Sequence, residues 1–402
     1  MVRAAMGHVD APQRVKLAPT GVVYTGQNVT VDAAMQLSTV WACVRLISET
    51  VATLPLMLYR TDSNDARSVA ADDPLYGLIH SAPNADNTAV EFWEGVVLSL
   101  CLWGNAYARK EMLGGRLVAM TPLQADKMVV ARNTSGALEY RYADSKGRAV
   151  YREDQIFHVR GFGGSADVGL SPVSFARQSI GAAMATDELT GAMFANGARP
   201  SGVLTVDNNG VLTPEQRAQF QENVVAPFIG SAKSGGVMVL EAGVKFQAVS
   251  LTPEDSQFLQ TRAFQVEEIC RWYRVPPFMV GHTEKSTSWG SGLEQQLIAF
   301  LTFSLKPYLT RIEQAISRSL VAPEQRQTLK PEFNVEGLLR TDSAARAAFY
   351  AIMVQNGIMT RNEVRRLENR APLPGGDELT VQAQNVPLGE QPKLSPKPAD
   401  EE

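Results

Sequence analysis

Val275-Pro276-Pro277-Phe278-Met279-Val280-Gly281-His282-Thr283-Glu284-Lys285-Ser286-Thr287-Ser288-Trp289-Gly290-Ser291-Gly292 joins two helical patterns, and the reading of this joint decides the fold. Upstream, Thr252-Pro253-Glu254-Asp255 is a helix start, with a hydroxyl cap, proline at the first helical position and acids in the first turn. Leu259, Ala263, Val266, Cys270 and Tyr273 then recur at spacings of four and three, and Phe258, Ile269 and Trp272 widen that face. Val275-Pro276-Pro277 stops the helix, because proline lacks the donor and disfavours helix in the residue before it. Downstream, Leu293, Leu297, Phe300, Leu301, Leu305, Leu309, Ile312 and Ile316 mark a longer helix starting near Gly292. Ile298 and Phe303 lie off that stripe, so its first half is apolar nearly all round, as in a helix buried by its own chain or by sister subunits. Pro307 predicts a kink. Two rigid helices that present a soft polar loop mark the loop as the working part.

The bulk properties set limits. A chain of 402 residues exceeds one ordinary domain, and 45% hydrophobic with 20% charged residues is a soluble globular composition. A net charge of −4 gives no basic footprint, which argues against tight, sequence-reading DNA binding but not against contact with DNA that must keep moving. Cys43, Cys101 and Cys270 are odd in number and set in apolar helical patterns, so they read as reduced core residues and not as a disulfide framework or zinc site. The apolar runs Val96 to Trp103 and Leu297 to Phe303 are too short for a bilayer, and Met1 to Lys16 lacks the apolar core of a signal peptide. These features predict a cytoplasmic, oligomeric protein with no membrane contact.

Taken in order, residues 1–29 read as a flexible arm. A helix capped at Ser38 or Thr39 follows, then a strand over Leu56 to Arg60, a polar turn from Thr61 to Ser68 and a helical turn at Asp73-Pro74. Thr88-Ala89-Val90-Glu91 is a capping box for the next helix. From Gly104 to Arg160 the chain is β-rich, with turns at Gly114-Gly115, Asn133 to Gly136 and Asp144 to Gly147. Gly161 to Gly169 reads as a hinge, and Ser171-Pro172 starts a long helix that ends at Gly197. A compact α/β insertion over residues 200–250, with a strand, a helix from Thr213-Pro214-Glu215 and two strands at 236–240 and 245–249, then separates this helix from the one starting at Thr252. Leu329 to Val335 is a strand, helices follow at Ala344 to Gln355 and after Thr360, and the chain beyond Pro372 is too poor in apolar residues to fold.

No catalytic constellation emerges. Gly230-Ser231-Ala232-Lys233-Ser234 echoes a phosphate-binding loop but lacks the glycine before the lysine and runs from helix to strand, the reverse of the required order. His8, His80, His158 and His282 have no metal-ligand spacing, and Ser291 between glycines lacks the spacers of a nucleophile elbow. Glu267-Glu268 point apart on a helix and form no acid pair. No catalytic residue, cofactor or metal is expected. His282 reads as a solvated loop residue. Lys285 and Trp289 are exposed loop residues that could meet a phosphate backbone and a groove.

Five stretches in order carry a family resemblance. They are Ser38-Thr39-Val40-Trp41-Ala42-Cys43-Val44-Arg45-Leu46-Ile47-Ser48-Glu49 through Leu54-Pro55, then Gly104-Asn105-Ala106-Tyr107, then Gly169-Leu170-Ser171-Pro172. The last two are Phe194-Ala195-Asn196-Gly197 to Leu204, and Val275-Pro276-Pro277-Phe278-Met279-Val280-Gly281. From about residue 30 to 375 the chain resembles the portal proteins of long-tailed bacteriophages and prophages. The resemblance implies an α+β fold: residues 30–168 as the first part of an α/β wing, 169–198 and 253–280 as a two-helix stem, and 199–252 as a small α/β clip. It further implies a tunnel loop at 281–292, a long kinked helix and wing return at 293–340, a helical crown at 341–375 and a disordered tail at 376–402.

In function, it implies a ring, dodecameric in the head, at one capsid vertex, through which double-stranded DNA is packaged and ejected. The clip would dock the terminase large subunit and later the head–tail connector. The major capsid protein and a scaffold or protease would be further partners, and the protein would pass from host cytoplasm to virion. His282, Thr283, Glu284, Lys285, Ser286, Thr287, Ser288 and Trp289 would face the DNA. The alternatives are another head-completion or scaffold-binding protein without a channel, and a nucleotide-dependent packaging enzyme, against which the missing phosphate loop argues.

Overall fold

Val23 and Val29 are buried and Thr25 donates to the Gly181 carbonyl at 3.2 Å, so ordered packing begins inside the stretch read as a flexible arm. The computed structural model describes residues 23–62, 66–163, 167–195, 202–206, 213–220, 222, 244–248, 253–283, 291–335, 343–368 and 370–380. Two units, Met1–Phe333 and Asn334–Glu402, are each compact.

In the first unit Thr30 caps α1 (Val31–Met35), accepting from the Ala33 amide at 3.1 Å. Helix α2 (Ser38–Ala52) starts without the expected hydroxyl cap: Leu37 holds the cap position, and its carbonyl takes the Trp41 amide at 3.0 Å. With α1 ending only three residues earlier, the chain turns directly from one helix into the next. Strand β1 (Leu56–Thr61) pairs with β2 (Arg67–Val69), which lies partly in the stretch read as a polar turn. Asp73 caps α3 (Pro74–His80). Thr88 and Glu91 form the expected capping box of α4 (Ala89–Trp103), with the Thr88 amide reaching Glu91 Oε2 at 2.7 Å. Helix α4 lies against α2, and Phe92, Trp93, Val97 and Leu100 are buried with Val40, Val44 and Ile47. At roughly 1.5–3 kcal/mol for each fully buried large side chain, this contact is the principal apolar layer of the unit.

The β-rich stretch forms β3 (Asn105–Leu113), β4 (Arg116–Leu123), β5 (Met128–Arg132), β6 (Leu138–Asp144), β7 (Gly147–Arg152) and β8 (Ile156–Arg160). They make two antiparallel sheets, in the orders β4-β3-β8 and β5-β6-β7, with Tyr107, Met128, Tyr140 and Ile156 in a shared core. Gly114 and Gly115 take positive φ in the β3–β4 turn, which suits their lack of a Cβ.

The segment read as a hinge is a tightly packed seam. Gly104 caps α4 in the left-handed region at φ 70°, and its carbonyl accepts from the Gly161 amide at 2.8 Å. A Cβ on Gly104 would collide with the Leu170 carbonyl, one on Gly169 with the Gly104 carbonyl, and one on Gly161 would lie 2.6 Å from the same oxygen. Three backbones therefore meet where only glycine fits. Asn105 closes the seam, donating to the Gly169 carbonyl at 2.9 Å and accepting from the Gly169 amide at 2.8 Å.

Past the seam, Ser171 caps α5 (Pro172–Phe175), and α6 (Arg177–Ala195) follows after a break at Ala176. The single long helix read from the sequence is thus two, and its apolar residues Phe175 and Leu189 are exposed. Beyond α6, β9 (Gly202–Val206) pairs antiparallel with β10 (Val244–Ala248), with α7 (Pro214–Phe220) between them in sequence. The strand expected at 236–240 and the phosphate-loop echo at 230–234 lie outside the described residues. Helix α8 (Pro253–Tyr273) returns along α6: Gln265 Nε2 reaches Thr186 Oγ1 at 2.7 Å, Arg262 pairs with Asp187 at 3.1 Å, and Trp272 Nε1 donates to Ser179 Oγ at 3.1 Å.

The helix expected to kink at Pro307 is α9 (Ser291–Ala299), a π-helical turn at Phe300–Leu305, and α10 (Lys306–Ser319). Pro307 cannot donate to the Phe303 carbonyl and its ring crowds that oxygen, and the wider turn immediately before it absorbs the mismatch. Strand β11 (Leu329–Phe333) then joins β1 in the order β11-β1-β2, and the Phe333 amide donates to Glu313 Oε1 of α10 at 2.9 Å.

In the second unit, α11 (Ser343–Gln355) precedes α12 (Arg361–Leu367), which has the expected Thr360–Glu363 capping box. Order does not stop at Pro372. Asn362, fully buried, bonds the Leu373 amide and carbonyl, the Gly376 carbonyl and Asp377, folding the proline- and glycine-rich segment back on α12. One buried amide with its full set of partners does here what apolar area does elsewhere.

Candidate channel loop and its anchorage

The loop at 281–292 rests on a firmly built base. Helix α8 ends with Tyr273 buried and Arg274 at φ 56°, a left-handed cap that lets the Val275 amide reach back to the Cys270 carbonyl at 2.9 Å. Pro276 is extended, Pro277–Val280 make one 3₁₀ turn, and Gly281 closes it at φ 84°. From the far side, Ser304 Oγ of the π-helical turn donates to the Arg274 carbonyl. The end of α8 and the π-helical turn are thus tied together at the base of the loop.

Of the residues assigned to this loop, His282 and Thr283 are described; Glu284, Lys285, Ser286, Thr287, Ser288 and Trp289 lie outside the described residues. Thr283 is exposed. His282 is not the solvated residue the sequence suggested. Its amide donates to the Pro277 carbonyl at 3.1 Å, and its ring is largely buried, with Nε2 3.7 Å from Glu267 Oε1 on α8. Glu267 precedes His282 by a helix end, a proline pair and a turn, a separation for which no local sequence signal exists.

Elsewhere the structure joins groups that are scattered in sequence. Cys43 of α2 and Cys270 of α8 approach to 3.9 Å between sulfurs, and their contact and burial hold the Cys43 thiol above its ordinary range. Burial pushes Cys101 up to about 12, so Cys43 and Cys101 stay protonated at neutral pH, while the contact with Cys43 lowers the Cys270 thiol. His158, isolated in the sequence, accepts from Tyr140 Oη at 3.2 Å and donates from Nε2 to Asn105 Oδ1 at 3.1 Å. Burial first, then Arg160 and Arg318, keep the imidazole well below its usual range and therefore neutral. Among the described residues no group of three or more His, Cys, Asp and Glu could hold a metal, and no helix is long and apolar enough to cross a membrane.

The apolar surface left uncovered is as informative as the loop. Leu297 and Ile298 of α9 are each 46% exposed and Phe303 of the π-helical turn is 66% exposed. Phe162, Phe175 and Trp272 rim a cleft of about 380 Å³ floored by Leu100, Leu170 and Tyr308. The fold is a mixed helix-and-sheet body in which β9, α7 and β10 lie in sequence between the paired helices α6 and α8.

Comparison with known proteins places that fold. Residues 38–369 match the family described as "Phage portal protein", and the chain belongs to this family. It is 43% identical over 359 residues to the portal protein of Enterobacteria phage HK97, covering 89% of this chain and 84% of that one. It is 35% identical over 387 residues to the probable portal protein of Streptomyces phage phiC31, covering 92% and 83%. A solved structure described as the neck of an empty gene transfer agent (GTA) particle computed with C6 symmetry matches with a TM-score of 0.61 at 24% identity. That match covers 83% of this chain and 90% of the other. The α+β portal fold expected from the sequence is the one found.

Proposed function

We propose that this chain is the subunit of a homo-oligomeric portal ring at one capsid vertex, through which double-stranded DNA enters and leaves the head. The family match across residues 38–369 carries this reading. The family is a structural one, and on this reading the protein turns over no substrate and uses no cofactor or metal. Each subunit contributes one copy of the 281–292 loop to the channel wall, anchored at its base by Ser304 and the 3₁₀ turn. The net charge of −4 suits a channel: a wall that neutralised many phosphates would hold DNA by counterion release and impede its sliding.

The parts take their roles from this arrangement. Residues 30–168 with 293–340 are the wing, the α6–α8 pair is the stem, residues 199–252 are the clip, and 341–375 are the crown. The clip docks the terminase large subunit during packaging and the head–tail connector afterwards. The wing meets the major capsid protein and the scaffold or protease. The subunit assembles in the host cytoplasm and ends in the virion. Negative-stain images of purified protein test the reading: rings with a central hole are expected, and compact particles without a hole at every concentration would refute it.

A further inference from the structure

Beside the seam, β8 and α10 flank an open cleft of about 230 Å³ that is rich in arginine. Arg160, Arg311, Arg318 and Glu153 line it, and Arg160 is already engaged, its Nε donating to His158 Nδ1 at 3.5 Å. The neighbouring cleft has no such excess, since Lys110, Arg152 and Arg318 there face Glu139, Glu153 and Asp154. Among the described residues Arg311 makes its hydrogen bonds through Nη1 alone, to the carbonyls of Gly161 at 2.9 Å and Arg160 at 3.4 Å. Those acceptors are neutral, so its charge is not offset, and a guanidinium has further donors on Nε and Nη2. Arg318 gives Nη2 to Glu153 at 2.8 Å. His158 lines the arginine-rich cleft and adds no charge, because its Nε2 proton is committed to Asn105 and its Nδ1 accepts from Tyr140.

We infer that this cleft is a binding site for a small oxyanion, of the phosphate or carboxylate class, held by the guanidiniums of Arg311 and Arg318 with Arg160 beside them. Guanidinium forks match the oxygen spacing of both groups and form charge-assisted hydrogen bonds with them. An anion here would bridge α10 to the end of β8 and stiffen the wall next to the glycine seam. It can come from solution or from an acidic side chain of a second copy of this chain. The inference stands independently of ring formation and channel function.

Equilibrium dialysis of the full chain against radiolabelled inorganic phosphate, at constant ionic strength with chloride as the competing ion, tests it. Saturable binding of one phosphate per chain is expected. Arg318 is exposed, so Arg318→Gln should fold normally and bind about tenfold more weakly; Arg311→Lys, which keeps the charge and loses the fork, should do likewise. Circular dichroism melting checks folding, and phosphate should raise the melting temperature of the wild type more than that of either variant. Binding by both free subunits and rings identifies a free ion; binding by free subunits alone identifies a carboxylate of a second copy as the occupant in the ring. Absence of saturable binding in both forms, or binding unchanged by both substitutions, overturns the site.

Discussion

Gly104→Ala probes the seam where the end of α4 meets the backbone at Gly161 and at Gly169–Leu170. Gly104 sits at φ 70°, a region that costs an L-residue about 1–2 kcal/mol. The added methyl would also meet the backbone carbonyl of Leu170, which no side-chain rotation can relieve. Overpacking of that kind costs about 1–3 kcal/mol. Displacing the backbone would strain the bond from the Gly161 amide to the Gly104 carbonyl, worth about 1 kcal/mol. Together these give a destabilisation of about 4 kcal/mol. For a unit of this size, at about 1.5 °C per kcal/mol, the melting midpoint should fall by about 6 °C. Gly114→Ala is the control: it has φ 58° but nothing within 4 Å of the point where its added methyl would lie, so only the backbone cost applies and the drop should be about 2 °C. The assay is thermal unfolding followed by near-ultraviolet circular dichroism at one fixed protein concentration, because assembly makes the midpoint concentration-dependent. Midpoints for the two variants within about 1 °C of each other would refute the argument that three backbones close-pack at this point.

Other substitutions separate folding from assembly and transport. Phe303→Asp should give folded monomers in place of rings, since the side chain is 66% exposed in one subunit and its charge is costly only when a neighbour covers it; intact rings by mass photometry would count against this. His158 ties pH to stability: its folded-state value is depressed, so the unfolded chain takes up the proton first. Stability should therefore fall as pH drops below about 6.5 toward the lowered folded value, and denaturant midpoints for His158→Gln should lose that component of the slope. Lys285→Ala and Trp289→Ala should assemble normal rings, because one exposed phosphate contact is worth at most about 1 kcal/mol and is screened by salt. Deleting Ser286–Ser288 should instead block packaging, measured as DNA length per head in a complementation assay, and normal packaging by that deletion would mean that the loop does not face DNA.

Much of the architecture was legible in the sequence because it rests on short-range rules. Proline-led and boxed helix starts such as Thr88–Glu91 and Thr360–Glu363, paired glycines at the β3–β4 turn and the Val275-Pro276-Pro277 stop each act within a few residues, and the structure has them where the pattern puts them. The ordered series of motifs, spread over most of the chain, was enough for the family. The helix stop ahead of the candidate loop was legible for the same reason; the 3₁₀ turn and the Ser304 bond that complete its base were not.

Tertiary structure alone decided the rest, because it depends on which distant segments meet. Glycines 104, 161 and 169 read as a turn and a hinge until their backbones are brought together, when the missing Cβ becomes a packing requirement. His282 reads as a loop residue until the end of α8 turns it onto Glu267. The proline- and glycine-rich segment after Pro372 lacks apolar area, and only the placement of Asn362 beside it supplies the hydrogen bonds that order it. Arg160, Arg311 and Arg318 are unremarked cations along the chain, and the packing of β8 with α10 makes them one electropositive cleft. Composition and periodicity report what a residue tends to do locally; charge balance and close contact are properties of the neighbours that folding supplies.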